Sequence, residues 1–389
     1  MSGTNLHPAE QLALFMTRIY EKRLTTTSGG NLSIRDEAGN IWITPAAVDK
    51  GTLTAADMVC VHPDGTVEGT HRPSSELPFH SNIYRLRPDL TAVIHAHPPG
   101  LLAASMVRRC PDLGLLPMLR QVCGQVGLAA YAAPGSQLLG EYIGGCFADG
   151  CDLVLLENHG VCVGGKDLTD AFRKFETLEY AANLEICARR LGTPKTVRTA
   201  KEPEIGTPVQ ETSEALVAMV RRAEQQGLFT SAMGRCAIRW QDGCLSMGVD
   251  EVPRFSDSGR LAAIFAAHPQ VHAVIEAQPL HAMAFAVSGT FYDTRAIPES
   301  YVMLRDLIRL PADASAEVVA QSLCETAPAA LLENNCALVI GKDLLQAFDR
   351  LEVLETTAQS LLDAAALGEI ARMGQDRIDE IKVVFKLKD

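Results

Sequence analysis

Apolar residues recur along the first half of this chain at spacings that predict helices alternating with short strands. Residues 7–23 carry apolar side chains three and four apart, which predicts an amphipathic helix. Residues 31–34 and 41–44 have the composition of two strands paired about a turn. A second long helix is predicted from a cap at Asp167 to about Arg190.

Between these segments the pattern predicts one more helix and three more strands. A helix capped by Ser74 or Ser75 should run through Tyr84 and stop before Pro88, because a proline disfavours helical geometry in the residue before it. The strands are expected at residues 91–96, 154–156 and 161–163, the last two flanking a tight turn. Short strands among helices predict an α/β sandwich with strands of mixed direction.

The pattern occurs twice in the chain. The run LTAVIHAHPPG reappears as VHAVIEAQPLH, so that Glu276 lies 181 residues after His95. The run DLVLLENHGVCVGGKDL reappears as AALLENNCALVIGKDL, so that Asn335 lies 176 residues after His159. Repeat arrays have periods of about 20–50 residues, which excludes a solenoid. We interpret the chain as two diverged tandem copies of one domain.

The join between the copies is predicted where the apolar periodicity disappears and Pro, Gly, Thr and charged residues accumulate. We expect a first domain over residues 1–195, a linker over 196–210 and a second domain over 211–375. The tail, residues 376–389, alternates apolar and charged residues near its end, as expected of an edge strand or of a segment that docks on a partner.

His95 and His97 are the residues that point most directly to chemistry. In a strand, residues two apart project from the same face, so both imidazoles should lie side by side. Together with His159 and Glu76 they form the donor set of a divalent, zinc-type site with an exchangeable position. The second copy has Asp257, Glu276, Gln278 and Asn335 at these four places, so the fold itself does not require the imidazoles.

Glu76 has two candidate roles and one structural alternative. It completes the coordination of the metal, or it acts as a general base when substrate binds. The alternative is a glutamate favoured at a helix N-terminus by the macrodipole. A cradle for an anion is predicted from Gly29, Gly30 and Asn31 with Ser74 and Ser75, although GGN is also a common turn. Tyr131 offers a phenol that donates a proton or simply packs.

The composition of the chain indicates which kinds of binding partner are compatible with it. The net charge of −12 disfavours nucleic acid and anionic membrane surfaces, which require a basic face. No apolar run approaches the roughly 20 residues of a membrane helix. The N-terminus lacks the features of a signal peptide, and the 11 cysteines show no CxxC spacing. We therefore expect a cytoplasmic protein with reduced thiols and a small-molecule ligand.

Six motifs together resemble the class II aldolase/adducin family, of the fuculose-1-phosphate aldolase type. They occur in the family's order over about residues 9–190 and read SGGNLSIR, ITPAAVDKG, PSSELPFH, AVIHAHPP, YAAPGS and LLENHGVCVGG. The resemblance implies a three-layer α/β/α sandwich of class II aldolase type, here in two tandem copies. It also implies a divalent metal, most often zinc, with manganese or cobalt as alternatives.

The resemblance assigns roles by motif position. The metal ligands fall on His95, His97 and His159, and the acid/base carboxylate on Glu76. The tyrosine that a neighbouring subunit lends to the site falls on Tyr131. The residues that contact substrate or phosphate fall on Gly30, Asn31, Thr44, Ser74 and Ser75.

The sequence departs from the family pattern at two places. Ala46 and Ala47 stand where a small hydroxyl residue and a glycine are usual, which favours an unphosphorylated or differently shaped substrate. A second tyrosine that some members carry near the C-terminus has no counterpart, since the last tyrosine is Tyr301.

The resulting functional expectation is a metal-dependent carbon–carbon lyase that acts on a small ketose or ketose phosphate through a metal-stabilised enediolate. A decarboxylase of a β-keto sugar acid, or of its phosphate, uses the same chemistry and is the first alternative. A non-catalytic, adducin-like scaffold is the second. Family members form four-fold rings, so two chains of this duplicated protein are expected to form a pseudo-four-fold homodimer, or a higher homo-oligomer.

Overall fold

The computed structural model describes residues 6–197 and 206–387, which form two compact units. The first unit comprises the chain up to Leu113 together with Met118–Ala182. The second comprises Gly114–Pro117 and the chain from Asn183 onwards. Residues 198–205 of the predicted linker lie outside the described residues, so the linker over 196–210 and the domain limits beside it stay predictions.

The first unit contains one sheet and six α-helices among the described residues, and the last of these helices continues beyond Ala182 into residues of the second unit. In chain order its elements are α1 (Pro8–Glu21), β1 (Asn31–Arg35), β2 (Ile41–Ile43), β3 (Val59–Val61), β4 (Val67–Glu68), α2 (Leu77–Leu86), β5 (Ala92–Ala96), α3 (Pro99–Met106), α4 (Pro117–Cys123), β6 (Val126–Ala129), α5 (Gln137–Ala148), β7 (Leu153–Leu156), β8 (Gly160–Gly165) and α6 (Leu168–Leu191).

The strands of the first unit lie in the order β4-β3-β2-β1-β5-β8-β7-β6. All neighbours are antiparallel except β6 and β7, which are parallel. The predicted mixture of strand directions is therefore confirmed. β5 is central in this order, between β1 and β8, and it carries the buried run that ends beside the candidate site.

Each face of this sheet is covered by helices, as alternating side chains require. Ala92, Ile94 and Ala96 of β5 face a core shared with α1, α3 and α6, where Phe172 and Phe175 are fully buried. Val93 lies between Ala92 and Ile94 in the chain and points to the opposite face of the sheet, where it packs in a second core with α2 and α5. A fully buried aromatic or large aliphatic side chain contributes about 1.5–3 kcal/mol. The three-layer α/β/α sandwich is confirmed.

The second unit repeats the architecture. Its elements are β9 (Thr207–Pro208), α7 (Glu214–Gln225), β10 (Arg235–Trp240), β11 (Gly243–Gly248), β12 (Arg254–Ser256), α8 (Gly259–Ala267), β13 (Ala273–Ala277), α9 (Leu280–Ser288), α10 (Pro298–Leu304), β14 (Ile308–Leu310), α11 (Ala316–Ser322), β15 (Ala329–Leu332), β16 (Cys336–Gly341), α12 (Leu344–Leu367) and α13 (Gln375–Val384). The strand order is β14-β15-β16-β13-β10-β11-β12-β9, with β14 and β15 parallel.

Strand registers confirm the alignment read from the repeats. His95 of β5 lies opposite Asn31 of β1 and Cys162 of β8. Glu276 of β13 lies opposite Arg235 of β10 and Leu338 of β16. The two sheets differ at one edge. The edge strand of the first sheet, β4, follows β3 in the chain, whereas the edge strand of the second sheet, β9, precedes all the other strands of that sheet.

The C-terminal tail was expected to form an edge strand or to dock on a partner, and the first of these expectations is wrong. It forms helix α13 instead of an edge strand, and Ile378 and Ile381 pack with Tyr301. The alternation of apolar residues near the end of the chain did not reveal these two buried positions, which are three apart and share one helix face. None of the helices in the described parts of the chain is long and apolar enough to cross a membrane.

A carboxylate fixes the start of the helix that follows the central strand in each unit, and it is buried in the first unit and half-buried in the second. Glu179 of α6 accepts the backbone N–H groups of Gly100 and Leu101 at 2.8 Å each. Glu355 of α12 accepts those of His281 and Ala282 at 2.9 Å each. First-turn N–H groups have no partner within the helix, so a carboxylate there satisfies donors and meets the positive end of the dipole.

Replacing Glu179 by Gln should therefore destabilise the first unit by about 1.5–3 kcal/mol, since the charge that strengthens both hydrogen bonds is removed. Urea unfolding followed by circular dichroism measures the change. Glu37→Gln, at an exposed position, is the matched control and should be neutral. Equal stability of the two variants would show that the Glu179 carboxylate contributes nothing.

Candidate metal centre

Three histidine rings converge at the end of the central strand of the first unit. His95 lies on β5, His97 follows the end of that strand, and His159 lies in the turn between β7 and β8. The ring centroids are 4.8, 4.9 and 5.1 Å apart, and one nitrogen of each ring lies within 4.8 Å of the others. The predicted convergence of these three residues is confirmed.

Two glycines allow the surrounding loops to approach the rings. Gly30 has φ of 74°, and a Cβ there would lie 2.6 Å from the carbonyl oxygen of His95. A Cβ at Gly160 would lie 2.6 Å from Cδ2 of His97. Both distances are shorter than any tolerated contact, so these positions require glycine. Gly30 was predicted to contribute to an anion cradle, and it lies beside the backbone of His95.

Burial keeps the imidazoles neutral, which is the form that binds metal. It lowers the pKa of His95 to about 3, with a further contribution from His159. It lowers the pKa of His97 to about 4 and also lowers that of His159. Nδ1 of His95 lies 2.9 Å from the carbonyl oxygen of Val161 and must donate to it, so Nε2 of the neutral ring carries the lone pair.

The donor set fits a divalent cation. Nε2 of His95 and Nε2 of His97 are 3.1 Å apart, and Nδ1 of His159 is buried without a hydrogen-bond partner. Neutral imidazole nitrogens held together in this way suit zinc, and also manganese or cobalt. The hydrogen bond from His95 to Val161 is the kind of outer contact that fixes the tautomer of a metal ligand.

Glu76 lies against this group. It is the N-cap residue of α2, yet its side chain makes no cap hydrogen bond. Its Oε2 accepts Nδ2–H of Asn31 at 2.7 Å and lies 3.3 Å from Nε2 of His95. Its Oε1 is 3.9 Å from Nε2 of His159. Glu76 therefore lies at the helix N-terminus without capping it by a side-chain hydrogen bond, and its carboxylate turns toward the histidines.

The serines expected to cap α2 lie just before it. Ser74 is buried, and its hydroxyl accepts the N–H of Glu76 at 3.3 Å. The helix begins at Leu77, so neither serine is the cap residue itself. Ser75 is exposed. The hydroxyl of Ser74 thus supports the backbone of Glu76, and Ser75 is the serine whose side chain meets solvent.

Buried polar side chains continue inward from Asn31. Oδ1 of Asn31 lies 2.5 Å from Nε2 of His80, and Nδ1 of His80 lies 2.7 Å from Oγ of Ser33. That hydroxyl is also 2.7 Å from the hydroxyl of Tyr84. His80, Ser33 and Tyr84 were not predicted as site residues from the sequence. A signal existed, because Glu76, His80 and Tyr84 are spaced four apart on one helix face.

Two other predicted residues lie in different surroundings. Thr44 is fully buried, and its hydroxyl accepts the N–H of Leu32 at 3.1 Å, which makes it part of the pairing beside β1 and β2. Tyr131 follows β6 in a loop, and its side chain is 58% exposed. The N–H of Tyr131 donates to the carboxylate of Glu157 at 3.3 Å. Tyr131 is thus a surface residue of the single chain.

The loop after Thr44 has a left-handed backbone at Ala47, where the family resemblance predicted a glycine. Ala47 has φ of 55°, in the left-handed region that costs a non-glycine residue about 1–2 kcal/mol. Nearby, Lys50 is buried, and its ammonium group donates to the carbonyl oxygen of Pro45 at 2.7 Å. Burial lowers the pKa of Lys50. These contacts hold the loop in place.

In the second unit, an ion pair lies at the corresponding place. Glu276 accepts from Nη1 of Arg260 at 3.1 Å, and Arg260 also contacts the sulfur of Cys336 at 3.1 Å. Gln278 replaces His97 and is buried, with Nε2 3.4 Å from the carbonyl oxygen of Asn335. Among the described residues, the group of potential metal ligands found is the histidine set of the first unit.

Comparison with known proteins agrees with this geometry. The family described as "Class II Aldolase and Adducin N-terminal domain" matches residues 10–186 and 250–362, which together make up most of the chain. The chain belongs to this family. The match in two segments accords with the two units of the class II aldolase/adducin fold described above.

Relatives within the class II aldolase/adducin family have named activities. The chain is 34% identical over 175 residues to an L-fuculose phosphate aldolase of Methanococcus maripaludis, covering 44% of this chain and 93% of that protein. It is 31% identical over 185 residues to a 3-oxo-tetronate 4-phosphate decarboxylase of Haemophilus influenzae, covering 46% and 88%. A solved L-fuculose 1-phosphate aldolase is 32% identical over 49% of this chain and 90% of its own, with a TM-score of 0.45.

The buried histidines should couple the stability of the metal-free protein to pH. In the unfolded chain an imidazole takes up a proton near pH 6.5, whereas folding lowers the pKa of His95 to about 3 and of His97 to about 4. The unfolded state therefore binds more protons at intermediate pH, and stability should fall as the pH falls from about 6.5 toward 4.

We expect metal-free wild type to lose about 4 kcal/mol more unfolding free energy between about pH 7.5 and pH 5 than the double variant His95→Gln/His97→Gln, because each histidine contributes about 2 kcal/mol. Glutamine is the residue that the second copy carries at the place of His97. Urea titrations at the two pH values measure the difference. Identical pH dependence in the two proteins would refute the neutral, buried state of these rings.

Proposed function

We propose that this protein is a metal-dependent carbon–carbon lyase of aldolase type, acting on a small ketose or ketose-phosphate substrate. The observation that carries the proposal is the convergence of His95, His97 and His159 with the Glu76 carboxylate beside them. The activities named for the Methanococcus and Haemophilus relatives both belong to lyases and agree with it.

In this proposal the three histidines hold one divalent cation, with zinc the best match to an all-imidazole donor set and manganese or cobalt as alternatives. When bound, the cation supplies a Lewis acid that stabilises negative charge developing on substrate oxygens. The neutral state of the rings, imposed by burial, leaves their nitrogen lone pairs available without a competing proton.

Glu76 is the proposed acid/base. Its carboxylate lies at the rim of the histidine group, with Oε2 held by the N–H of Asn31 at 2.7 Å. When the carbon–carbon bond to the aldehyde fragment breaks, the bonding electron pair stays on the other carbon. Glu76 is placed to exchange a proton with that carbon. A water molecule exchanges the proton of the oxygen of that fragment, or Tyr131 of a neighbouring chain does so in a higher oligomer where two first units adjoin. The 58% exposure of Tyr131 suits a residue that acts across an interface.

The polar end of the substrate is proposed to bind at Gly30, Asn31, Ser74 and Ser75. Ser75 is exposed, and the hydroxyl of Ser74 accepts the N–H of Glu76, two residues further on. Thr44 contributes to this part of the site by its place in the fold, since its hydroxyl already accepts the backbone N–H of Leu32. With Ala46 and Ala47 replacing a hydroxyl residue and a glycine, fewer donors are available for a phosphate, which favours an unphosphorylated or differently shaped substrate.

A decarboxylase of a β-keto sugar acid, or of its phosphate, is the alternative. The 31% identity to the Haemophilus 3-oxo-tetronate 4-phosphate decarboxylase supports it. Both reactions leave an electron pair beside a carbonyl, so they share the same residues. Assays with sugar phosphates, free sugars and β-keto acids, each with added zinc or manganese, distinguish the two. A non-catalytic scaffold is the second alternative, and bound metal without turnover of any of these substrates would favour it.

The proposed assembly is a homodimer that forms a pseudo-four-fold ring, in which each second copy takes the place of a neighbouring subunit. The second unit has the same strand order as the first except at one edge strand, so it offers a similar shape without the histidines. Light scattering of the purified protein should give twice the chain mass of 41.9 kDa. A monomeric mass would contradict the ring.

Replacing Glu76 by Gln should lower kcat by about 10²–10⁴-fold, because the proton acceptor is lost while the shape is kept. Metal content, measured by plasma emission spectroscopy, should stay at the wild-type level, since the three imidazoles remain. Glu141→Gln, on the exposed part of α5, is the control and should leave kcat unchanged. Full activity of the Glu76 variant would remove this residue from the mechanism.

A further inference from the structure

A line of four buried polar side chains leads from the core of the first unit to the Glu76 carboxylate. Tyr84, Ser33, His80 and Asn31 are each at most 4% exposed. Successive polar atoms along the line are 2.7, 2.7, 2.5 and 2.7 Å apart. Buried hydrogen bonds of this length need a donor and an acceptor at every step, so the direction of each can be worked out.

The direction follows from the carboxylate end. An ionised carboxylate only accepts, so Asn31 must present its NH2 group to Glu76 and its Oδ1 to His80. Oδ1 only accepts, and Nε2 of His80 must therefore carry the proton. In a neutral imidazole the other nitrogen is then an acceptor, which makes Nδ1 of His80 the acceptor of the Ser33 hydroxyl.

The remaining step is fixed in the same way. With its hydrogen committed to His80, the Ser33 oxygen accepts from the Tyr84 hydroxyl. Burial raises the pKa of Tyr84, so the phenol keeps the proton that this bond needs. All four hydrogen bonds therefore point toward Glu76, and hydrogen bonds aligned in one direction strengthen one another.

The second copy provides an internal comparison. The strand registers and the ends of α2 and α8 align Ser33 with Ala237, His80 with Leu261 and Tyr84 with Phe265. These three apolar residues belong to, or pack against, one core cluster. The second unit, which lacks the histidine group, thus forms the same fold with apolar side chains at these three positions. Packing alone therefore does not explain the three polar side chains of the first unit.

We infer that His80 is a positioning residue: as its neutral Nε2–H tautomer it holds the Asn31 amide in the one orientation that donates to Glu76 Oε2. This makes the two carboxylate oxygens inequivalent, with Oε2 held by Asn31 and Oε1 turned toward His159. The inference deepens the proposed function, and its kinetic consequence rests on Glu76 acting as the acid/base.

The tautomer is tested without any assay of activity. Nitrogen-15 NMR of the full chain labelled at histidine, with the His80 signals assigned by their loss in His80→Leu, distinguishes protonated from unprotonated ring nitrogens. The inference requires a protonated Nε2 and an unprotonated Nδ1. The opposite tautomer, or a ring averaging between both, would overturn it.

The positioning role is tested with the residues of the second copy. The triple variant Ser33→Ala/His80→Leu/Tyr84→Phe installs side chains that the same fold packs in its other unit. We expect kcat to fall about 10–100-fold, KM to change less than about threefold and metal content to stay at the wild-type level. Unchanged kcat would overturn the role, as would a loss of metal equal to the loss of activity.

His80→Gln supplies the rescue. Its side-chain amide can still donate an N–H to Asn31 Oδ1, so kcat should recover to within about fivefold of wild type, whereas His80→Leu alone should resemble the triple variant. Equal losses in His80→Gln and His80→Leu would contradict the inference. A wild type without lyase or decarboxylase activity rejects the proposed function, and the NMR measurement then decides the inference by itself.

Discussion

The placement of a buried histidine, His95, near the end of the central strand and of the half-buried His97 just beyond that end is the constraint on which the site depends. His95 and His97 cannot both be charged where the strand places them, and burial holds both rings neutral. The facing nitrogens of the two neutral rings are 3.1 Å apart. A cation that accepts both nitrogen lone pairs suits this arrangement better than the contact between the two rings does. Gly30 and Gly160 then follow as requirements, because any side chain there would collide with this strand end.

The second unit shows which features serve the fold and which serve the site. Its ladder has the same register, and Glu355 holds the start of α9 as Glu179 holds that of α3. At the place of the histidines, however, Arg260 neutralises Glu276. A polar cluster with its own internal countercharge needs no external cation, which is a physical reason why these residues form no metal centre.

Much of this arrangement follows from local rules that can be read in the sequence. The strand at His95 and the turn at His159 were predictable, because a strand places residues two apart on one face and the run ENHG favours a turn. The long helix α6 and its cap at Asp167 were also predictable, and Asp167 accepts the N–H of Asp170 at 2.7 Å. The internal repeat predicted the second unit.

Other features depend on contacts between distant segments. His80 resembles any histidine on a helix, and only the packing of α2 against the sheet brings His80 beside Asn31 of β1. The hydroxyl of Thr44 was expected to meet substrate, and its engagement by Leu32 arises from strand pairing. The helical form of the tail depends on burial against Tyr301, a tertiary contact that the alternation of its residues did not indicate.

The most direct test of the central claim is anomalous diffraction at the zinc absorption edge from crystals of this chain grown with zinc. The account predicts one strong anomalous peak in the first unit, within bonding distance of His95, His97 and His159, and no peak at Glu276 and Gln278 in the second. Three rings that turn away from a common point, or a peak bound by other residues, would contradict it.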